Sequence, residues 1–334
     1  MKESRGTVGF TTTIPVEILF AGGFTPCDLN NIFVSDGDPS HFLGIAERDG
    51  FPKNMCAWIK GLYGVIIEKN IGTVVTVLEG DCSNTRALAE ILQYKGVRTI
   101  PFSYPYDRDE AGLRREMEKL MKAFGTTKEG LQKTGAHIEK VRKKLRTLDR
   151  MTWEGGVVTG RENHYWLVSS SDMMGDYNAF EAELDDFLHA ALQRRPGDFI
   201  RLGYVGVPPI FPDLYDFIED LGGRVVFNET QRQFSLPHGC TGIVERYLRY
   251  TYPYGTFARI SDIREEMERR RLNGIIHYVQ AFCYRVVEDM ILKENLPLPV
   301  ITIEGDLPKS LDMRTTTRVE AFMEMLKGRG HGTE

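Results

Sequence analysis

Short β-branched runs alternate with amphipathic helical stretches along most of the chain. Strands separated by helices of roughly 10–15 residues call for βαβ units and a parallel sheet. Val16–Phe20 reads as a strand followed by the turn Ala21-Gly22-Gly23, and Met55–Lys69 reads as a helix. Thr73–Leu78 (TVVTVL) is a strand, Ser83–Lys95 a helix and Val97–Phe102 a third strand. Arg108–Phe124 is a charged amphipathic helix. Thr127–Leu148 keeps helical spacing with no β-like alternation, as a long connecting helix would. A Gly-rich irregular segment, Met151–Arg161, and a helix over Tyr177–Gln193 follow.

A second alternation begins at Phe199–Val205. It runs through helix Pro212–Leu221, strand Arg224–Phe227, helix Ile260–Leu272, strand Gly274–Val279, helix Tyr284–Glu294 and strand Val300–Ile303, and ends on a helix over Arg314–Lys327. The expected organisation is an α/β sheet domain over 1–125, a helical connecting segment over 126–195, a second α/β sheet domain over 196–328 and a frayed tail at 329–334. At 334 residues the chain suits two domains of roughly 100–200 residues each.

Charge and hydropathy narrow the partners. The net charge is −5, and the densest basic stretch, Lys140–Arg150, ends a helical pattern. It reads as a solvated helix face, so no nucleic-acid footprint is expected. No apolar run reaches about 18 residues, and the N-terminus lacks an apolar signal-peptide core, so no membrane span is expected and the protein is read as cytoplasmic. In a reducing compartment five cysteines do not form a disulfide framework. They are buried small residues, reactive thiols or metal ligands.

Position gives the cysteines interest. Ligands of open parallel sheets gather outside the carboxyl ends of strands. Cys82 follows Thr73–Leu78, Cys283 follows Gly274–Val279, Cys27 is read as following the first strand through Gly22-Gly23 and Pro26, and Cys56 opens the helix after Pro52. Helix starts favour thiolates, but without a CxxC pair the spacing alone establishes no metal. His238 and Cys240, two apart, make a weaker metal pair. Gly203-Tyr-Val-Gly206 lacks the third glycine of a nucleotide fingerprint and reads as a turn at a sheet edge. No Walker A sequence is present. Asp81 and Ser83 are candidate helix caps or hydrogen-bond partners of a metal-bound Cys82, and Arg86 is a candidate charge partner for such a site or for Glu90. Glu304 and Asp306 follow the last strand and are read as solvated loop carboxylates or, alternatively, acid–base groups. His164, Tyr165, Trp166 and the Ser169–Asp172 run (SSSD) lie in the middle segment, where His164 is read as a packed or exposed histidine or as a base.

Taken in order, several motifs resemble one family. They are Ile14-Pro15-Val16-Glu17 leading to Gly23 and Pro26, Cys56 at a helix start, Asp81-Cys82-Ser83 and the long helical middle. Asn273-Gly274-Ile275-Ile276, Phe282-Cys283, Glu304-Gly305-Asp306, and Arg314 to Arg318 before Glu320-Ala321-Phe322 complete the set. Together they resemble the 2-hydroxyacyl-CoA dehydratase and benzoyl-CoA reductase family in its D-component (beta-subunit) branch, from Pro15 to Leu326. The resemblance implies two Rossmann-like domains joined by helices, with a [4Fe–4S] cluster held between them by Cys56, Cys82 and Cys283. Three thiolates leave one iron for an exogenous ligand. It further implies an ATP-dependent iron–sulfur activator, a sister subunit or a homodimer, and an acyl-CoA substrate for radical dehydration or reduction. A non-catalytic iron–sulfur electron-transfer protein is the alternative. Cys27 is not required by the family pattern and is either a fourth ligand or a small residue beside the cluster. The chain departs from the family at Tyr284, where Asp is usual after Phe-Cys, and at Thr241-Gly242-Ile243, which lacks the Arg often seen after that cysteine.

Overall fold

A computed structural model describes residues 4–330 apart from Thr241. Eight strands form two four-stranded, wholly parallel sheets flanked by helices. The first contains β1 (Thr7–Phe10), β2 (Thr25–Asp28), β3 (Thr73–Glu79) and β4 (Arg98–Ser103), in the order β2-β1-β3-β4. The second contains β5 (Ile200–Gly206), β6 (Gly223–Asn228), β7 (Gly274–Gln280) and β8 (Val300–Gly305), in the order β6-β5-β7-β8. These are two Rossmann-like units, as the alternation requires.

The strands sit where their side chains allow. β7, GIIHYVQ, is buried at every position, as a central parallel strand covered on both faces must be. Pro26 lies in β2 and Pro101 in β4, both edge strands, where a missing N–H breaks no inner ladder.

One expected strand is a helix. Val16–Phe20 falls within helix Val16–Ala21, and the first two strands flank it. A short apolar run cannot be assigned to strand or buried helix from periodicity alone. Here every residue from Val16 to Leu19 is buried, Glu17 included. Three more short helices escape the pattern, at Leu29–Ser35, Ser40–Arg48 and Glu229–Phe234. Part of the supposedly irregular Met151–Arg161 is also helical. The long helix runs over Lys128–Trp153, and helix Gly160–Ser169 starts from a Thr159/Glu162 capping box that the T-x-x-E spacing encodes. Tyr284–Glu288 is a 3-10 turn ahead of helix Asp289–Asn295. The last helix reaches Gly330, so it covers the start of the expected tail; residues 331–334 lie outside the described residues.

Two features bind the units together. Helix Lys128–Trp153 pairs Arg142, at its middle, with buried Glu17 at 2.5 Å, and Asp149, two turns further on, with buried Arg270 at 2.6 Å. The connection between β6 and β7 also crosses to the first sheet. Leu236, Val244, Tyr247, Tyr250 and Tyr254 are buried in the same core as Val8, Phe10, Val75 and Phe102.

Candidate metal centre

In each sheet the chain steps to one side of its first strand and then crosses to the other, so strand order reverses between β1 and β3 and between β5 and β7. Loops that leave adjacent parallel strands in opposite directions open a crevice at their carboxyl ends. Both crevices line one cavity. Thr11, Thr12 and Thr13 come from the loop after β1, and Asp81 and Cys82 from the loop after β3. Val207, Pro208 and Pro209 follow β5, while Gln280 ends β7 and Cys283 follows it. Cys56, Trp58, Ile59 and Leu62 add the start of helix Ala57–Glu68. The cavity measures about 110 Å3, against the ~10–15 Å3 that one water needs.

Three thiols therefore share one space although they lie far apart in sequence. Each accepts from the first free amides of the segment it opens. Cys56 meets the N–H groups of Trp58 and Ile59, Cys82 that of Asn84, and Cys283 that of Arg285. Such contacts favour thiolate, but burial is the larger effect. It pushes Cys56 up to about 11 and Cys82 up to about 12, and raises Cys283 as well. Proximity adds to this, since Cys82 is raised further by Cys283 and Cys56. Three bare thiolates are therefore unfavourable here, and a cationic centre among them would supply the missing charge. Among the described residues no three His, Cys, Asp or Glu side chains are grouped to hold a metal ion. Soft thiolates are the donors that iron–sulfur clusters take.

The sequence profile of the family described as 2-hydroxyglutaryl-CoA dehydratase, D-component, matches residues 11–326 of the 334. The chain belongs to this family. No curated protein matches it. In this D-component chain the matched stretch begins at the loop after β1 and takes in all the residues that line the cavity.

The other candidate residues separate clearly. Cys27 lies inside β2, not in a loop after a strand, and does not line the cavity. Burial, then the Asp172 and Asp28 carboxylates, push it up to about 12. Cys240 opens onto a different groove, of about 690 Å3, between helices Glu110–Phe124 and Lys128–Trp153. His238 Nε2 stands 4.0 Å from Asp262 instead. Gly206 is not at a sheet edge: it ends β5, a central strand. Arg86 turns back to donate to the Leu78 carbonyl at 3.3 Å. Ser83 makes no capping hydrogen bond. Asp81 accepts from Thr85 Oγ1 at 3.1 Å and from the Cys82 N–H, while burial pushes its carboxyl up to about 6. Glu304 and Asp306 are exposed. Trp166 packs into a core with Phe180 and Phe187, and Tyr165 faces solvent. Of this stretch, His164 and Val168 line the cavity.

Two groups beside the thiols went unnoticed in the sequence. Arg285, only 7% exposed, donates to the Tyr252 carbonyl at 2.7 Å and places positive charge beside Cys283. Its position two residues after Cys283 was the available signal. Gln280 Oε1 accepts from Trp58 Nε1 at 3.1 Å and from the Tyr278 hydroxyl at 2.8 Å, joining the two halves at the cavity wall. No local spacing marks a contact between residues 58 and 280.

Proposed function

We propose that this D-component chain holds a [4Fe–4S] cluster on Cys56, Cys82 and Cys283 and relays low-potential electrons for dehydration or reduction of a 2-hydroxyacyl-CoA thioester. One observation carries the reading: three thiols from separate loops of both sheets converge on one cavity at the two switch points. When bound, a cluster on three thiolates supplies a low-potential electron and keeps one iron open to an outside ligand. The chain itself contributes the rest. Trp58, Ile59, Leu62, Val207, Pro208 and Pro209 keep water from the thiols, and the backbone amides orient the sulfurs.

Family membership implies partner subunits and an activator, and the surface beside Cys283 suits a protein that delivers electrons. Phe282, Tyr284, Val286, Val287 and Met290 are all exposed by 43% or more, a density of apolar side chains typical of docking sites. An ATP-dependent iron–sulfur activator is the occupant that this placement favours, since electrons must arrive within reach of the thiols. A sister subunit or a second copy completes the assembly elsewhere.

The test is anaerobic purification with iron and sulfide assays and an absorbance spectrum, on wild type and Cys82→Ala. Roughly four irons and four sulfides per chain, lost in the variant, are expected. Colourless protein after reconstitution, or zinc in place of iron, overturns the reading. A reducible cluster with no affinity for 2-hydroxyglutaryl-CoA would leave an electron carrier without a thioester site.

A further inference from the structure

A line of alternating charges ends beside Cys283. It begins at the end of β5, where the Gly206 N–H donates to Glu229 Oε2 at 2.9 Å. Glu229 accepts from Arg259 Nε at 2.6 Å on Oε1 and from Arg259 Nη2 at 2.9 Å on Oε2. The third nitrogen of that guanidinium, Nη1, donates to Glu288 Oε2. Both oxygens of Glu288 also accept from Arg285 Nη1, at 3.3 Å each. Glu229, Arg259 and Arg285 are buried, and Glu288 is largely so.

Further contacts hold the last member of this line. Arg285 Nη2 donates to the Tyr252 carbonyl at 2.7 Å, and the guanidinium carbon lies 4.8 Å from the centre of the Tyr252 ring and 5.2 Å from that of Tyr284. The side chain thus sits behind the cavity wall: Tyr252 and Cys283 line the cavity, and Arg285 does not. A guanidinium stays charged at any working pH, and its field reaches the thiols. Burial raises the Cys283 thiol, the Arg285 N–H and then its guanidinium lower it, and the Glu288 carboxylate raises it by less. Asp81, whose carboxyl burial pushes up to about 6, lies under the same guanidinium field, which lowers it.

Charges in a protein wall act more strongly than the same charges in water. One electron entering a centre on the three thiolates adds one negative charge and breaks no bond. A fixed cation beside it therefore favours the reduced form, and a fixed anion the oxidised form. Net charge is among the quantities that set the potential of such clusters. We infer that Arg285 and Glu288 shift the reduction potential of the centre on Cys56, Cys82 and Cys283 in opposite senses, the guanidinium raising it and the carboxylate lowering it. The inference rests on the functional reading above for the presence of the cluster, and on this line of charges for the sign. Arg259, itself fixed by Glu229, holds the Glu288 carboxylate in place, so Arg285 and Glu288 act as a fixed pair.

The full chain is loaded with iron and sulfide anaerobically and poised with a one-electron, low-potential reductant. Electron paramagnetic resonance of the reduced cluster then reads the potential, at pH 8 so that Asp81 is ionised throughout. Arg285→Gln should move the potential to more negative values, by about tenfold in the ratio of reduced to oxidised cluster, or ~59 mV for one electron. Arg285→Lys, which keeps the charge, should recover most of that shift. Glu288→Gln should move the potential the other way. Iron content and far-ultraviolet circular dichroism should match the wild type in all three variants. Equal potentials in the wild type, Arg285→Gln and Arg285→Lys overturn the inference. So do shifts of Arg285→Gln and Glu288→Gln in the same direction, which mark a rearrangement and not an effect of charge. If Arg285→Gln takes up no iron, Glu288→Gln decides alone: a raised potential supports the pair, and an unchanged or lowered one refutes it. A wild type that takes up no iron overturns the functional reading itself, and this inference falls with it.

Discussion

Asp28 and Asp172 show how burial sets chemistry at single residues. The Asp28 N–H donates to Asp172 Oδ2 at 2.7 Å, and the Asp28 carboxylate accepts from Ser171 Oγ at 2.6 Å and from the Asn30 backbone and side chain at 2.9 and 2.8 Å. Burial first, then the charge of Asp28, push Asp172 up to about 7. An unfolded aspartate releases its proton near pH ~4, so between those values the folded state holds the extra proton. Stability from this group is therefore greatest below pH ~4 and declines as pH rises to about 7, by at most on the order of 4 kcal/mol. Replacing Asp172 with Ala removes the hydrogen bonds and the trapped charge together. Urea unfolding should show a larger penalty for Asp172→Ala at pH 5 than at pH 8; equal penalties would refute the raised value. Gly206 is constrained differently. Its φ is +108°, and an added Cβ would lie 2.2 Å from the Tyr278 carbonyl oxygen. Gly206→Ala should lower stability by at least ~1–3 kcal/mol and disturb the Val207–Pro209 wall, visible as a lower urea midpoint and altered near-ultraviolet circular dichroism.

Among the elements, helix Lys128–Trp153 does the most to fix the halves relative to each other. Its 26 residues span both sheets, and its key contacts are buried ion pairs, not apolar packing alone. Removing one partner of a buried pair usually costs about 3–5 kcal/mol, because the other charge stays stranded. Asp149→Ala should fall at the low end, about 3 kcal/mol, since Glu266 Oε2 still accepts from Arg270 at 2.5 Å. Urea unfolding with an unchanged denaturant slope checks this. The helix was legible in the sequence by its length and unbroken periodicity. Its partners were not, because Glu17 lies 125 residues from Arg142 and Arg270 lies 121 from Asp149.

At the scale of the molecule, the crossing of residues 234–254 onto the first sheet decides how the chain folds. The Tyr247 hydroxyl donates to Glu17 Oε2 at 2.9 Å and lies 3.0 Å from the Ile14 carbonyl oxygen, so the second half closes the core of the first. A fragment of residues 1–125 lacks that cover and leaves part of the Val8, Phe10 and Phe102 core open to water. It should bind a hydrophobic dye and fail to give a cooperative thermal transition. The whole chain should unfold in one transition, with tryptophan fluorescence and far-ultraviolet circular dichroism coincident. A folded, cooperative fragment would show the crossing to be dispensable.

Local pattern determined most of the elements in this protein. Six of the eight strands and most of the long helices stand within a few residues of where β-branched runs and 3.6-residue periodicity put them, because those signals act over one or two turns of chain. Local pattern also put Cys82 and Cys283 at strand ends and Cys56 at a helix start. It failed at Val16–Phe20, where burial on all sides erases the difference between the two periodicities, and it placed Cys27 past a strand when the residue lies within one. What it could not supply was convergence. The cavity exists only because two sheets reverse their strand order and set those points against one space. Such contacts join residues more than a hundred positions apart, and their energy depends on distances that no local spacing encodes.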